Sequence, residues 1–484
     1  MRRITAAFLK ACLVAAFVAG CNLGTAADTP LSPTITPING AVVSTTLGSP
    51  RVIAWNPNTR TLGWVQPSGL IPLETDLAER AVVQNCVTAP DGNSSIMHTG
   101  TMPVLYPLNG GSARKLGETL GLACTIQRRI QYSPDGARLG LMQYTSDVMQ
   151  GNFVVGMLRV QNVVDGKTLI ALNDVTSFEM YNDGVLYLQL FSGGGGRART
   201  AALRWWDGKE DRAVESNILT LDDCQFVAGR AIRMGEKAYT LFGERCPNKG
   251  SSWRLMRTDM AGGNSQNIQS QESRGAYFLN AGTNDLWPLP TTNEILVAHP
   301  NGLAADVVNL LRVSVVDDTV QPVMTSVTID QHPPSTPRRF VFSTDGKKLA
   351  FVKRDGNGAE TLYLYQLDQP AEPPLVVAGG NRGDQIGAVA WAGDSQRLYY
   401  LDSGDANTLS VFALTGESKV IQRGTFQGLA LNPDGTLIAT SEQVRLDARD
   451  VRNHLVLIQT ADGQKTTLVE GGRGELALTP LILR

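Results

Sequence analysis

The sequence predicts an all-β fold made by repeating one four-stranded unit, and three observations carry that prediction. A turn of the form Ser/Asn-Pro-Asp-Gly, or a close variant, recurs between two runs of alternating apolar residues. The turn glycines Gly92, Gly136 and Gly184 return at intervals of about 45 residues, the length of one four-stranded blade of a ring-shaped repeat fold. Glycine and proline are abundant, at 49 and 24 residues, which is the turn chemistry that many short strands require.

Four copies of the hairpin are clear. Gln131 opens QYSPDGARLGLMQY, Phe340 opens FVFSTDGKKLAFVKR, Ala388 opens AVAWAGDSQRLYYLDS and Leu429 opens LALNPDGTLIATSE. In Pro134-Asp135-Gly136 and Pro433-Asp434-Gly435, proline presets φ at the first corner, aspartate caps the turn, and glycine takes the φ that other residues resist. The turn at Asp345-Gly346 keeps the last two of these. Alternation on both sides buries one face of each strand. A third strand follows, as in TLYLYQLD from Thr361 and TLSVFALT from Thr408, and a fourth leads to a glycine-containing link. Weaker copies start at Val87, Phe178 and Ile232, and a degenerate one lies around Tyr277 to His299.

Eight fairly complete units begin near residues 85, 128, 175, 224, 274, 337, 386 and 426. Two fragments remain, Arg51 to Leu73 and Glu475 to Leu483. A ring closes when N- and C-terminal strands share one blade, which removes two free sheet edges. Residues 51–484 are therefore expected to form a single β-propeller of four-stranded blades, eight in number, with seven and nine as the alternatives. The succession of apolar strand, SPDG, LAF, polar loop and LYLYQLD closely resembles the TolB-like, WD-like propeller repeat over most of this span. The same repeat forms the propeller domain of prolyl oligopeptidases and dipeptidyl peptidases. The resemblance implies architecture more than activity, because function on such folds lives in grafted loops. Those peptidases carry their catalytic triad on an attached α/β-hydrolase domain. The sequence shows no βαβ-patterned stretch of that size and no G-x-S-x-G nucleophile elbow.

The N-terminus reads as an export signal. Arg2 and Arg3 precede an apolar stretch, clearest from Ala11 to Ala19, of the length of a secretory core and too short to span a bilayer. It ends in Val18-Ala19-Gly20-Cys21, which resembles the lipobox of bacterial lipoproteins and marks Cys21 for lipid attachment. Residues 1–20 are then the signal peptide. Residues 21–50, rich in Thr, Pro, Ala, Gly and Ser and almost uncharged, form a tether that cannot bury a core. The chain is expected to be exported and held at the cell membrane by lipid. Asn22 is not the aspartate that retains lipoproteins at an inner membrane, so the outer one is favoured where a cell has two.

Beyond Cys12 and Cys21, four cysteines remain, an even number suited to two disulfides in an oxidising compartment. Cys224 and Cys246 stand at equal distances on either side of the turn glycine Gly235, which predicts a bond across that hairpin. Cys86 and Cys124 are left for each other, and four free thiols are the alternative. Without a CxxC pair, and with four scattered histidines, the sequence supports neither a metal nor another cofactor. Net charge is −2, and the basic residues form no stripe interleaved with aromatics, so nucleic acid is not an expected partner.

Local motifs have bland readings. Gly393-Asp394-Ser395 resembles a hydrolase motif but occupies the turn position of its repeat. Asp355 to Glu360 has the flavour of a calcium loop without EF-hand spacing, and Ser192 to Gly196 is glycine-rich without a following helix. Trp205-Trp206 is read as packing between blades, with an exposed contact patch as the alternative. The expected function is a non-catalytic binding scaffold at the envelope, with an unidentified envelope protein or peptide as partner. The alternative is an enzyme or a glycan or small-ligand sensor working through the central channel, which requires titratable groups to converge there.

Overall fold

The structure is a computed structural model describing residues 52–483 with gaps. The first 51 residues, several longer segments (75–82, 117–129, 145–154, 274–284, 301–306 and 329–339) and some shorter ones lie outside the described residues. Cys21, Cys124 and the signal and tether segments are among those outside. Every regular element among the described residues is a strand. All strands lie in the compact unit Pro50–Arg484.

The strands follow the repeat. In the fifth unit, Gln225–Met234, Lys237–Cys246, Gly250–Asp259 and Gln266–Ser273 pair in chain order as one antiparallel sheet. The second, sixth, seventh, eighth and ninth units repeat this arrangement. The first unit differs: Val52–Asn56, Thr61–Gln66 and Gly69–Glu74 are completed by the C-terminal strand Thr479–Leu483, which pairs with Val52–Asn56. The two terminal fragments therefore share a sheet.

The third and fourth units are continuous in one seven-stranded sheet. Their common strand, Thr168–Tyr181, ends one unit with its first half and begins the next with its second. The change falls at Asp174, whose φ is +58°. That left-handed residue redirects the backbone without breaking the strand. Among the described residues, eight is thus the number of hydrogen-bonded sheets, and nine is the number of four-stranded units once the common strand is counted twice.

The units close into a β-propeller. Nine apolar clusters among the described residues each span the seam between two successive units, one of them joined by Val155 of the unit before. Ile53 and Trp55 of the first unit meet Met97 and Tyr106 of the second. Leu289 and Leu296 of the sixth meet Leu349 and Phe351 of the seventh. Val52 and Ala54 of the first meet Ala439 and Leu455 of the ninth, and this seam closes the ring. Each sheet buries both faces, and a fully buried Leu, Ile or Phe stabilises by roughly 1.5–3 kcal/mol. The first strands of neighbouring units touch, so these strands line the centre.

The turn motif is a hydrogen-bonded device. Ser133 Oγ donates to Asp135 Oδ1 at 2.5 Å, while Asp135 Oδ1 accepts Ala137 N–H at 3.0 Å and Ser133 Oγ accepts Arg138 N–H at 2.9 Å. Ser343, Asp345, Lys347 and Lys348 repeat the pattern, with Lys348 Nζ added at 2.8 Å from Asp345. Gly136 and Gly346 take φ of +71° and +67°. The turns also join units: Asp135 N–H donates to Asn182 Oδ1 at 2.8 Å, and Asp345 N–H to Ser395 Oγ at 2.9 Å.

Candidate functional site

The inner strands of four successive units carry a polar arc: Gln131, Glu179, Arg230 and Asp285. Gln131 Nε2 donates to the Phe178 carbonyl at 3.0 Å, and Gln131 Oε1 accepts Met180 N–H at 3.3 Å. One side-chain amide thereby satisfies both a carbonyl and an N–H on the inner edge of the next unit, as a pairing strand would. Arg230 places Nη2 2.7 Å from Glu179 and Nε 3.1 Å from Asp285, so one guanidinium ties the strands of the fourth, fifth and sixth units. Its side chain is 5% exposed, against 19% and 23% for the two carboxylates. A buried cation of this kind is tolerated because it is paired. Next to it, Arg233 N–H donates to Tyr181 Oη at 2.6 Å, and burial pushes the Tyr181 phenol well above its usual range. Between the sixth and seventh units, Trp287, Phe340 and Phe342 pack on one another with ring centroids 5.0–5.7 Å apart.

A cleft of about 200 Å³ opens between the eighth and ninth units, at the end of the strands opposite the Asp-Gly turns. Buried Leu401 and Phe426 supply apolar lining. Asn407, Thr425 and Gln427 are exposed around it. Among the described residues their side chains enter no hydrogen bond. The Gly424 N–H donates to the Asn407 carbonyl at 2.9 Å, closing the rim. Asn407 is held at φ +43°, in the left-handed region that a non-glycine residue enters at a cost. Behind Gly424, Lys465 Nζ pairs with both Glu442 oxygens at 2.6 and 2.8 Å.

The residues singled out in the sequence fall elsewhere. Pro134, Asp135, Gly136, Asp345, Gly346, Pro433, Asp434 and Gly435 form turns at the end of the strands away from the cleft. Ser395 occupies the glycine position of its turn at φ +57°, with its Oγ engaged by Asp345. Asp355 Oδ1 accepts the N–H groups of Asn357 and Ala359 at 2.8 and 2.9 Å, a self-capped loop. Trp205 and Trp206 are each 4% exposed and pack in the seams on either side of the fourth unit.

The cysteine hairpin has an informative register. The turn at Gly235-Glu236 pairs Met234 with Lys237, and continued unchanged this register would set Cys224 one residue past Cys246. A bulge between Phe226 and Ala228 shifts the register by one, so Gln225 faces Arg245 and the neighbouring position brings Cys224 opposite Cys246. Cys224 and Cys86 both have a partner outside the described side chains.

No family model matches the chain, and no curated protein matches it. Solved structures do. A crystal structure of the eukaryotic initiation factor is similar at 13% identity and TM-score 0.49, covering 89% of this chain and 97% of the other. A putative TolB from Agrobacterium tumefaciens is similar at 11% identity and TM-score 0.32, covering 90% and 95%. Porphyromonas gingivalis dipeptidyl peptidase 4 is similar at 11% identity and TM-score 0.49, covering 81% of this chain and 60% of the peptidase.

Proposed function

We propose that this chain is an exported propeller, anchored through lipid on Cys21, that acts as a non-catalytic scaffold binding an envelope protein, peptide or small ligand. The observation that carries this reading is a contrast between its two polar sites. The charged groups at the inner strands are committed to each other, with Arg230 at 2.7 and 3.1 Å from its two carboxylates. The cleft at Asn407, Thr425 and Gln427 instead presents side chains with unused hydrogen-bonding capacity beside apolar lining. A group that is to bind keeps its donors and acceptors available, whereas a group that fastens strands has spent them.

Chemical crosslinking in membranes followed by affinity capture of the full-length protein tests the proposal. A partner that is crosslinked to the cleft face and lost on Cys21→Ser supports an anchored scaffold. Turnover of a small molecule that depends on Arg230 would overturn it in favour of an enzyme working through the channel. Mass spectrometry of the mature protein tests the anchor separately, and an unmodified N-terminus refutes it.

A further inference from the structure

We infer that the cleft between the eighth and ninth units takes one ring of a sugar, bound by its hydroxyls and its C–H face. The inference rests on the scaffold reading of that cleft and names its ligand class.

Size, lining and rigidity point the same way. A volume of about 200 Å³ suits one six-membered ring, since a cavity of about 150 Å³ holds benzene. Leu401 and Phe426 offer apolar surface, and Asn407, Gln427 and Thr425 surround it. A pyranose has the same division, an apolar face of C–H groups and an edge of hydroxyls. Each sugar hydroxyl both donates and accepts. A primary amide presents an oxygen acceptor beside an NH₂ donor, and a threonine hydroxyl serves either role. A wholly apolar ligand would cover these groups without bonding them, at a cost for each. The one charged side chain in the lining, Asp402, already has a partner, and the Glu442 carboxylate behind it is held by Lys465, so an ionic ligand finds no free counter-charge. The rim is also set in advance: Asn407 is held left-handed by its 2.9 Å bond with Gly424. Its two walls belong to separate sheets joined by a buried seam. Preorganisation of this kind lowers the entropic cost of binding.

Saturation-transfer NMR on the full-length protein tests the inference, with D-glucose, N-acetylglucosamine and myo-inositol as probes and benzyl alcohol as the apolar control. The β-1,4-linked tetrasaccharides of the two sugars form a second arm. Sugars are expected to receive saturation where benzyl alcohol does not, and binding is expected to weaken roughly tenfold in Asn407→Gly and in Gln427→Ala. Both variants keep the fold: glycine is at ease in the left-handed region, and Gln427 is exposed. Tighter binding of a tetrasaccharide identifies a residue within a glycan chain as the natural ligand, and equal binding identifies a free monosaccharide. Absence of transfer to every sugar, or transfer unchanged in both variants, overturns the inference. Should a crosslinked protein partner persist under either of those results, the scaffold reading stands and the sugar assignment alone falls.

Discussion

Arg230→Met removes the cation that ties three inner strands and leaves Glu179 and Asp285 without it. Losing one partner of a fully buried pair destabilises by about 3–5 kcal/mol. Here both carboxylates keep some water, at 19% and 23% exposure, so the loss is placed lower, at about 2–3 kcal/mol. The compact unit Pro50–Arg484 is long, and at about 2.1 cal/mol/K per residue its unfolding entropy is roughly 0.9 kcal/mol/K. The expected fall in Tm is therefore only about 2–3 °C. Guanidinium unfolding followed by tryptophan fluorescence and circular dichroism resolves the free energy better than heating does. Adding Glu179→Gln and Asp285→Asn to Arg230→Met should recover stability to within about 1 kcal/mol, because no unpaired charge is then left. A single variant within about 0.5 kcal/mol of the parent, or a triple variant no better than the single, would refute the clasp.

Gly346→Ala places a Cβ in open space at φ +67° and should cost about 1–2 kcal/mol of backbone strain alone; Gly435→Ala at φ +66° should cost more, because its Cβ would lie 2.6 Å from that of Ala392. Chemical denaturation of the pair reads the difference, and equal losses would argue against that contact. Burial alone would raise the Asp345 carboxyl, but Lys348, Ser343 and the Lys347 N–H together hold it at about 2. Its stabilisation is therefore complete above the unfolded value of about 4 and is lost as pH falls towards 2; Asp345→Asn should flatten that acid limb by on the order of 1 kcal/mol. Cys224 and Cys246 are proposed to be disulfide-bonded, with Cys86 and Cys124 as the second pair. Non-reducing peptide maps should show both bonds, and a Cys224–Cys124 peptide would contradict the hairpin register. Removing the first bond should cost about 3 kcal/mol. Deleting residues 337–380 forces the sixth unit against the eighth, two sheets whose apolar faces are each shaped to the seventh. The expected product is unfolded by circular dichroism, and a cooperatively folded one would count against a closed ring.

The architecture was legible because its signals are local. Ser133, Asp135 and Gly136 act within six residues, so the same chemistry can be read at Ser343 and Asn432 without knowing the fold. Alternation in the strands then announced one covered face, and stacking of similar units around a ring covers the other. The unit boundary expected near residue 175 is present, and the backbone disguises it as one continuous strand. Asp174 takes a left-handed φ with no glycine to mark it, so the strand through Tyr181 runs on unbroken. Asn293 likewise stands left-handed at a turn without glycine, and Ser395 does so at a turn whose glycine, Gly393, lies two residues earlier.

The two polar sites differ in how far sequence reaches. Gln131, Glu179 and Arg230 each lie five residues before a turn glycine, at Gly136, Gly184 and Gly235. Val87, Val341 and Ala430 occupy the same position before Gly92, Gly346 and Gly435. Three consecutive polar residues at a repeat position that is otherwise apolar are a signal, visible once the copies are aligned by their turns. It indicates a place where inner strands are held by side chains. The cleft has no such signature. Asn407 follows the second strand of one unit, and Thr425 and Gln427 open the first strand of the next, so nothing periodic relates them. Their proximity is created by the seam of Leu401, Leu409, Phe426 and Ile438, in which each unit is the other's missing apolar partner. A site assembled across a seam depends on the packing of both sheets, and the linear pattern of either one does not contain it.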